Sequence, residues 1–206
     1  LSTVIENKRN PGVMTKNDFD FVKPVLTKPI CGNYRKWKVC GMGPPSSGGI
    51  TVLQILGILN NFELTSKNPN DSEVWHLFLE ASKLAYTDRG YYIADSDFID
   101  VPIEDMLDEK YLKERSKLIK KTSIISNPKK GKFKNDKTSH LGLDSTSEKP
   151  STTHLSIIDK YGNALALTSS IEFMFGSGLM TSGFLLNNQM TDFSFYPKDK
   201  EGNLIA

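Results

Sequence analysis

Ser151-Thr152-Thr153-His154 opens the stretch of this sequence best supplied with reactive side chains, which runs on to Phe193. A threonine hydroxyl is a poor nucleophile unless a base sits beside it. One such base is the threonine's own α-amine, once a chain break has freed it. A free α-amine has a pKa of about 8, so a useful fraction is neutral near pH 7. The β-branch narrows χ1 and helps to aim Oγ. Thr152 is internal, so this chemistry requires the Ser151–Thr152 bond to break first.

The elements that would carry Thr152 are legible around it. Residues 153–159 alternate, with Leu155 and Ile157 on one face. Residues 163–169 alternate likewise, with Leu165 and Leu167 on one face. Between them Lys160-Tyr161-Gly162 is a three-residue loop ending in glycine, a hairpin signal. If Asp159 faces Asn163, opposed positions sum to a constant and Thr152 falls opposite Ser170, about 5 Å away between side chains. A bulge would shift that pairing by one residue. Upstream, residues 122–151 are polar and basic, a composition that predicts a linker unable to order itself. Pro150 biases Lys149 toward an extended approach. On spacing alone, an ordinary hairpin fed by a linker is the commoner explanation of these residues.

The run TTHLSIIDKYGNALALT, followed by FGSG and GFLLNNQMTDFS, closely resembles the start of the small subunit of γ-glutamyltranspeptidases. These are N-terminal-nucleophile hydrolases that cleave themselves before the first Thr of TTH. Upstream, GNYRKWKVCGMGPPSSGGITVLQILGILNNFEL is similar to the late large subunit, and residues 80–115 to the helical segment after it. The resemblance covers nearly the whole chain, in order. It implies an α/β (α+β) fold of the αββα N-terminal-nucleophile sandwich type, of which this chain supplies part. It divides the chain into 1–151, the end of the large-subunit region with polar linker 122–151, and 152–206, the start of the small-subunit region.

Carried onto residues, the resemblance makes Ser151–Thr152 the cleavage site, Thr152 the nucleophile and Ser170 the hydroxyl that supports it. Ser170 stands where the family has threonine. Gln189 and Asp192 match the pair that holds the α-amino group of a γ-glutamyl moiety, since an ammonium needs a carboxylate and polar acceptors within hydrogen-bond reach. The competing explanation is loop capping by Asn187, Asn188 and Asp192. Glu172 stands where many members carry a substrate-contacting Asn, and Thr191 where an acid is common. Glu172 is similar to the capsule poly-γ-glutamate depolymerase branch and the acylase-like relatives and points away from free glutathione as substrate, and Thr191 is similar to the depolymerase side. The family's substrate-carboxylate arginine is expected upstream of Leu1 and its oxyanion serine pair beyond Ala206. The alternative is therefore a truncated, catalytically incomplete piece. The resemblance also implies no cofactor, a heterodimer of processed large and small subunits, a γ-glutamyl small-molecule or peptide substrate, and a periplasmic or secreted location.

Other features carry less. The length suits one domain with a real core. A net charge of +2 is too small to argue for nucleic acid, and the cluster of Lys129, Lys130, Lys132, Lys134 and Lys137 reads as a solvated linker. No clustered Cys/His spacing suggests a metal, and no eighteen-residue apolar run suggests a membrane span. Cys31 and Cys40 either pair across a hairpin or are buried thiols, and thiols are the preferred reading. GPPSSGG lacks the Walker lysine and is neither GxGxxG nor GxSxG, so a strand-to-helix turn is expected of it. His76 lies off the apolar stripe of the helix expected over 70–89, Val74, Leu77, Phe78, Ala81, Leu84 and Ala85. His140 lies in the linker.

Overall fold

The computed structural model describes residues 1–133, 141–143 and 152–205. Ser151, Lys134, Lys137 and His140 lie outside them. The chain forms two compact units, Leu1–Val25 with Thr146–Phe195 and Leu26–Ser145 with Tyr196–Ala206. The class is α+β. Among the described residues the strands form three separate two-stranded antiparallel sheets, so the sandwich is represented by hairpins. No helix among the described residues is long and apolar enough to cross a membrane.

In the first unit, α1 (Ser2–Ile5) ends before the Asn10-Pro11-Gly12 turn, and α2 (Asn17–Phe21) follows. Lys16 occupies the N-cap position of α2, and Asp18 reaches back to accept from the Thr15 hydroxyl at 3.0 Å. The same unit resumes with the segment that holds the candidate site, described below.

The second unit starts with a hairpin, β1 (Ile30–Tyr34) and β2 (Trp37–Gly41). A single strand over 34–42 is the expectation; the chain instead reverses at Arg35, which adopts a positive φ of 54°. That turn puts Cys31 directly opposite Cys40, with Cα atoms 4.1 Å apart and a disulfide between them. The preference for thiols is thereby overturned, because the hairpin register sets the sulfurs face to face. The GPPSSGG stretch is the expected turn into α3 (Gly48–Leu59). Its Ser47 hydroxyl accepts from Arg89 Nε at 2.8 Å.

α4 (Ser72–Tyr92) packs its Leu77, Ala81, Leu84 and Ala85 on Ile55, Ile58 and Leu59 of α3. Leu112, from α6 (Glu109–Ser116), completes that cluster, and Met106, from α5 (Ile103–Met106), joins Ile50, Tyr92 and Val101 in a second. Leu77, Ala81, Leu84 and Ala85 of the expected stripe are buried, and the buried face extends to two carboxylates in place of Phe78. Phe78 is 40% exposed, whereas Glu80 and Asp88 are 1% exposed and lie on the inward spacing set by Leu77. Isolated buried carboxylates are costly, so each is paired and hydrogen-bonded. Asp88 Oδ1 accepts from Arg115 Nη2 at 2.9 Å and from the Gly131 N–H at 2.8 Å. Its Oδ2 accepts from the Tyr111 hydroxyl and, at 3.4 Å, from Gln54. Burial holds the Asp88 carboxyl above the usual carboxylate range against the opposing pull of Arg115 and the donors. Burial and the Asp88 charge push the Tyr111 phenol up, so it stays protonated and donates. Burial also works against the Glu80 carboxylate. Lys83 and the Ile125 N–H, each at 2.6 Å, outweigh it and hold that group below its usual range.

These anchors correct the expectation of an unordered linker from residue 122 onward. Ile125 and Gly131 are tied to α4 through Glu80 and Asp88, and the Lys129 carbonyl accepts from Arg115 at 2.8 Å. Phe133 packs on Tyr92 and Tyr111 at ring-centroid distances of 4.8 and 4.9 Å. Lys130 lies 4.6 Å from the centre of the Tyr91 ring. A polar composition predicts disorder only where no buried partner waits for the backbone. His76 is satisfied, its Nε2 being 2.7 Å from the Lys120 carbonyl oxygen.

Removing one member of a buried ion pair strands the other charge. Arg115→Met is expected to lower the unfolding free energy by about 3–5 kcal/mol in urea titration. Adding Asp88→Asn in the same background should recover part of that loss, because the stranded charge is gone.

Candidate active site

β3 (Thr153–Ile158) and β4 (Ala164–Ser169) pair from Thr153 opposite Ser169 to Ile158 opposite Ala164. The register has no bulge, so the opposed-position rule carries through the whole ladder. The turn sets it. The Asp159 N–H donates to the Asn163 carbonyl at 3.0 Å, and Gly162 takes φ 86°, which glycine adopts without strain. Asp159 Oδ1 accepts from the Tyr161 and Asn163 N–H groups at 2.8 and 2.9 Å, and its Oδ2 from the Asn163 side chain at 2.8 Å. The Asn163 side chain and these amides hold the Asp159 carboxyl below its usual range.

Alternation along the hairpin separates two faces. Leu155, Ile157, Leu165 and Leu167 share one. Thr152, His154, Ser156, Thr168 and Ser170 share the other by register. One step beyond the ladder, Thr152 Oγ1 donates to Ser170 Oγ at 3.0 Å. His154 lies next along that face, with Nδ1 2.8 Å from Thr168 Oγ1 and Nε2 3.2 Å from Ser156 Oγ. No role is expected for His154 from sequence; it extends the line of polar groups that starts at Thr152.

After β4 the chain turns sharply. The Ser170 hydroxyl also accepts from the Glu172 N–H at 2.9 Å. Glu172 has a positive φ of 68°, a conformation unfavourable for a residue with a side chain. The chain then closes through Phe173–Gly178 onto the segment after the short ribbon of β5 (Met180–Thr181) and β6 (Phe184–Leu185). Gly176 of FGSG is forced there: a Cβ on it would lie 2.1 Å from the Leu186 carbonyl oxygen.

Asn188 joins this turn to the 3₁₀ helix Gln189–Asp192. Its Nδ2 donates to the Glu172 carboxylate and, at 3.0 Å, to Thr191 Oγ1. Its Oδ1 accepts from the Phe173 N–H at 2.9 Å, and its own N–H donates to the Ile171 carbonyl at 3.3 Å. Within the 3₁₀ helix the Gln189 amide donates to Asp192 Oδ2. Thr152, Ser170, Glu172 and Asn188 are thus linked by consecutive hydrogen bonds, and Gln189 and Asp192 are joined to each other beside Asn188. Ser151, the other half of the expected cleavage site, lies outside the described residues. Asn188 is the residue whose importance sequence reasoning missed. Its only signal was the Asn-Asn pair before Gln189, which suits loop capping equally well.

The arrangement offers two hydroxyls in contact, next to a turn that bears one carboxylate and a helix that bears another. The family model described as gamma-glutamyltranspeptidase matches residues 2–205. A glutathione hydrolase proenzyme of Escherichia coli is 39% identical over 194 residues, 93% of this chain and 32% of that protein. Its Bacillus subtilis counterpart is 35% identical over 193 residues, 90% of this chain and 33% of that protein. Among solved structures, the Helicobacter pylori gamma-glutamyltranspeptidase aligns with a TM-score of 0.59 and 34% identity, over 64% of this chain and 38% of that one. A cephalosporin acylase from Bacillus halodurans aligns with a TM-score of 0.67 and 25% identity, over 94% and 33%. The chain spans about a third of the length of the curated relatives it matches.

The turn that sets the register titrates. Because the Asp159 carboxyl is depressed, its contribution is present above the ordinary aspartate range near about pH 4 and is lost as pH falls through the depressed value. An NMR titration should show the Tyr161 and Asn163 amide shifts moving together in that acid range. In Asp159→Ala the movement should vanish.

Proposed function

The chain belongs to the gamma-glutamyltranspeptidase family, and from that membership we propose that it carries the nucleophile of a self-processing γ-glutamyl transferase or hydrolase. The observation that carries the reading is the 3.0 Å contact between the Thr152 and Ser170 hydroxyls, at the head of a hairpin whose turn and ladder leave Thr152 no other register. In the first step the Thr152 hydroxyl attacks the Ser151 carbonyl. The acyl group passes from the Thr152 nitrogen to its oxygen, and water hydrolyses the ester to leave a new carboxylate and a free Thr152 amine. That amine is then the general base. Thr152 Oγ attacks the γ-amide carbonyl of the substrate and gives its proton to the amine. The amine returns a proton to the leaving nitrogen as the tetrahedral adduct collapses. Water, or the amine of an acceptor, takes the γ-glutamyl group from the ester and regenerates Thr152.

Ser170 orients the Thr152 oxygen. Gln189 and Asp192 are the groups for the α-amino end of the γ-glutamyl moiety, because a substrate ammonium needs a carboxylate and polar acceptors within hydrogen-bond reach, and Glu172 is a further substrate contact. The names of the relatives, which call them proenzymes, support a division at Ser151–Thr152. Residues 1–151 then belong to the large-subunit region and 152–206 to the small-subunit region of a processed heterodimer. A periplasmic or secreted location goes with the same reading.

Intact mass spectrometry of the protein as encoded tests it. Incubation should yield a break before Thr152, absent in Thr152→Ala, together with release of the anilide from a γ-glutamyl anilide. Ser170→Ala should slow both by about tenfold, the worth of one orienting hydrogen bond of about 1–1.5 kcal/mol. An uncleaved wild-type chain with no anilide turnover would sink the proposal.

A further inference from the structure

We propose that Asn188 is a positioning residue for the reaction: it holds Glu172 in its left-handed conformation, and through the Glu172 N–H it fixes the Ser170 hydroxyl against Thr152. The proposal rests on the acyl-transfer reading above for its kinetic consequence, but not for its geometry. Three residues in a row are tied to Asn188. The Ile171 carbonyl accepts from its backbone N–H, the Glu172 carboxylate accepts from its Nδ2, and the Phe173 N–H donates to its Oδ1. The middle one is the residue with φ 68°. A non-glycine residue is held in this region only when its surroundings over-determine it, and here Asn188 bonds to it and to both of its chain neighbours. Both Nδ2 hydrogens are used, the second on Thr191 Oγ1 at 3.0 Å. Thr191 returns two bonds to the Asn188 carbonyl, from its N–H at 3.0 Å and its hydroxyl at 2.9 Å. The amide side chain is thus itself locked.

The consequence reaches the nucleophile by a short path. The Glu172 N–H shares a peptide plane with the Ile171 carbonyl, which accepts from the Asn188 N–H, and it donates to Ser170 Oγ at 2.9 Å. That bond occupies one lone pair of the Ser170 oxygen, and the Thr152 hydroxyl occupies another. If residues 171–173 come loose from Asn188, that peptide plane is free to turn, the N–H leaves and the Ser170 hydroxyl is free to rotate away from Thr152. Glycine populates positive φ as readily as negative φ, so a glycine at 172 would not need Asn188. The sequence carries glutamate there, which makes Asn188 necessary and gives the turn a carboxylate.

A double-mutant cycle on the protein as encoded separates these roles. Asn188→Ala should slow cleavage before Thr152 by about tenfold, the penalty of one left-handed residue left unsupported. In the Glu172→Gly background the same substitution should cost less than about threefold. Glu172→Gly alone should raise KM for a γ-glutamyl anilide more than it lowers kcat. Asn188→Asp keeps the acceptor for Phe173 but sets a carboxylate against Glu172, and serves where the alanine variant does not fold. Its cleavage should also slow, and should recover with Glu172→Gly. Hydrogen exchange at the Glu172 and Phe173 amides reads the positioning whether or not the chain cleaves; both should lose protection in Asn188→Ala. Equal slowing by Asn188→Ala in the two backgrounds, or unchanged protection at these amides, would overturn the proposal. Lost protection with no cleavage in the wild type would overturn only the acyl-transfer reading.

Discussion

The geometry of the candidate site depends on the period-two register of one hairpin. Side chains in a strand pair point alternately to opposite faces, and a slip of one residue would carry every one of them to the other side. With Asp159 bonded to Asn163 and the ladder unbroken to Thr153 and Ser169, Thr152 and Ser170 meet as the next rung. A bulge anywhere in the six-residue strands would part them. The Asp159 side chain, accepting three hydrogen bonds within the turn, ties the closing residues together at the end farthest from Thr152.

Register alone brings two hydroxyls together; it does not say how the next residues leave the strand. That is decided at Glu172, where the chain takes a left-handed step, and at Asn188, which holds the step by bonds to three successive residues. The cost of the step is local. The same turn carries an N–H on Ser170 and a carboxylate on Asn188, at the start of the 3₁₀ helix that carries Gln189 and Asp192. Gly176 serves the same closure from the other side, because only hydrogen fits against the Leu186 carbonyl.

The second unit solves a different problem with the same chemistry. Its long helix faces inward with two carboxylates, Glu80 and Asp88, where apolar side chains would be the ordinary choice. Their reward is backbone: Ile125 and Gly131 N–H groups, together with the Lys129 carbonyl through Arg115, fasten a polar segment that has little hydrophobic area of its own. A pair of this kind adds little net stability over a hydrophobic replacement. It does choose one path for the segment among many, since a neighbouring backbone conformation would leave each buried carboxylate one donor short.

What could be read directly was what depends on near neighbours in the chain. The turn at Lys160-Tyr161-Gly162, the alternation of Leu155 with Ile157 and Leu165 with Leu167, and the opposition of Thr152 and Ser170 all follow from local period and turn length. The family signature runs along the same stretch. Helix α4 was evident from its apolar spacing, but the place of Glu80 and Asp88 on its buried face was not. The choice between Phe78 and Asp88 as the inward residue turns on partners 23 to 43 positions away, Tyr111, Arg115 and Gly131. The Cys31–Cys40 disulfide needed the reversal at Arg35, and the role of Asn188 needed Glu172, 16 residues earlier, to arrive beside it. A hydrogen bond between distant residues leaves no period in the sequence. Its energy is gained only after the chain has folded, so only the tertiary structure decides which asparagine caps a loop and which one holds a site together.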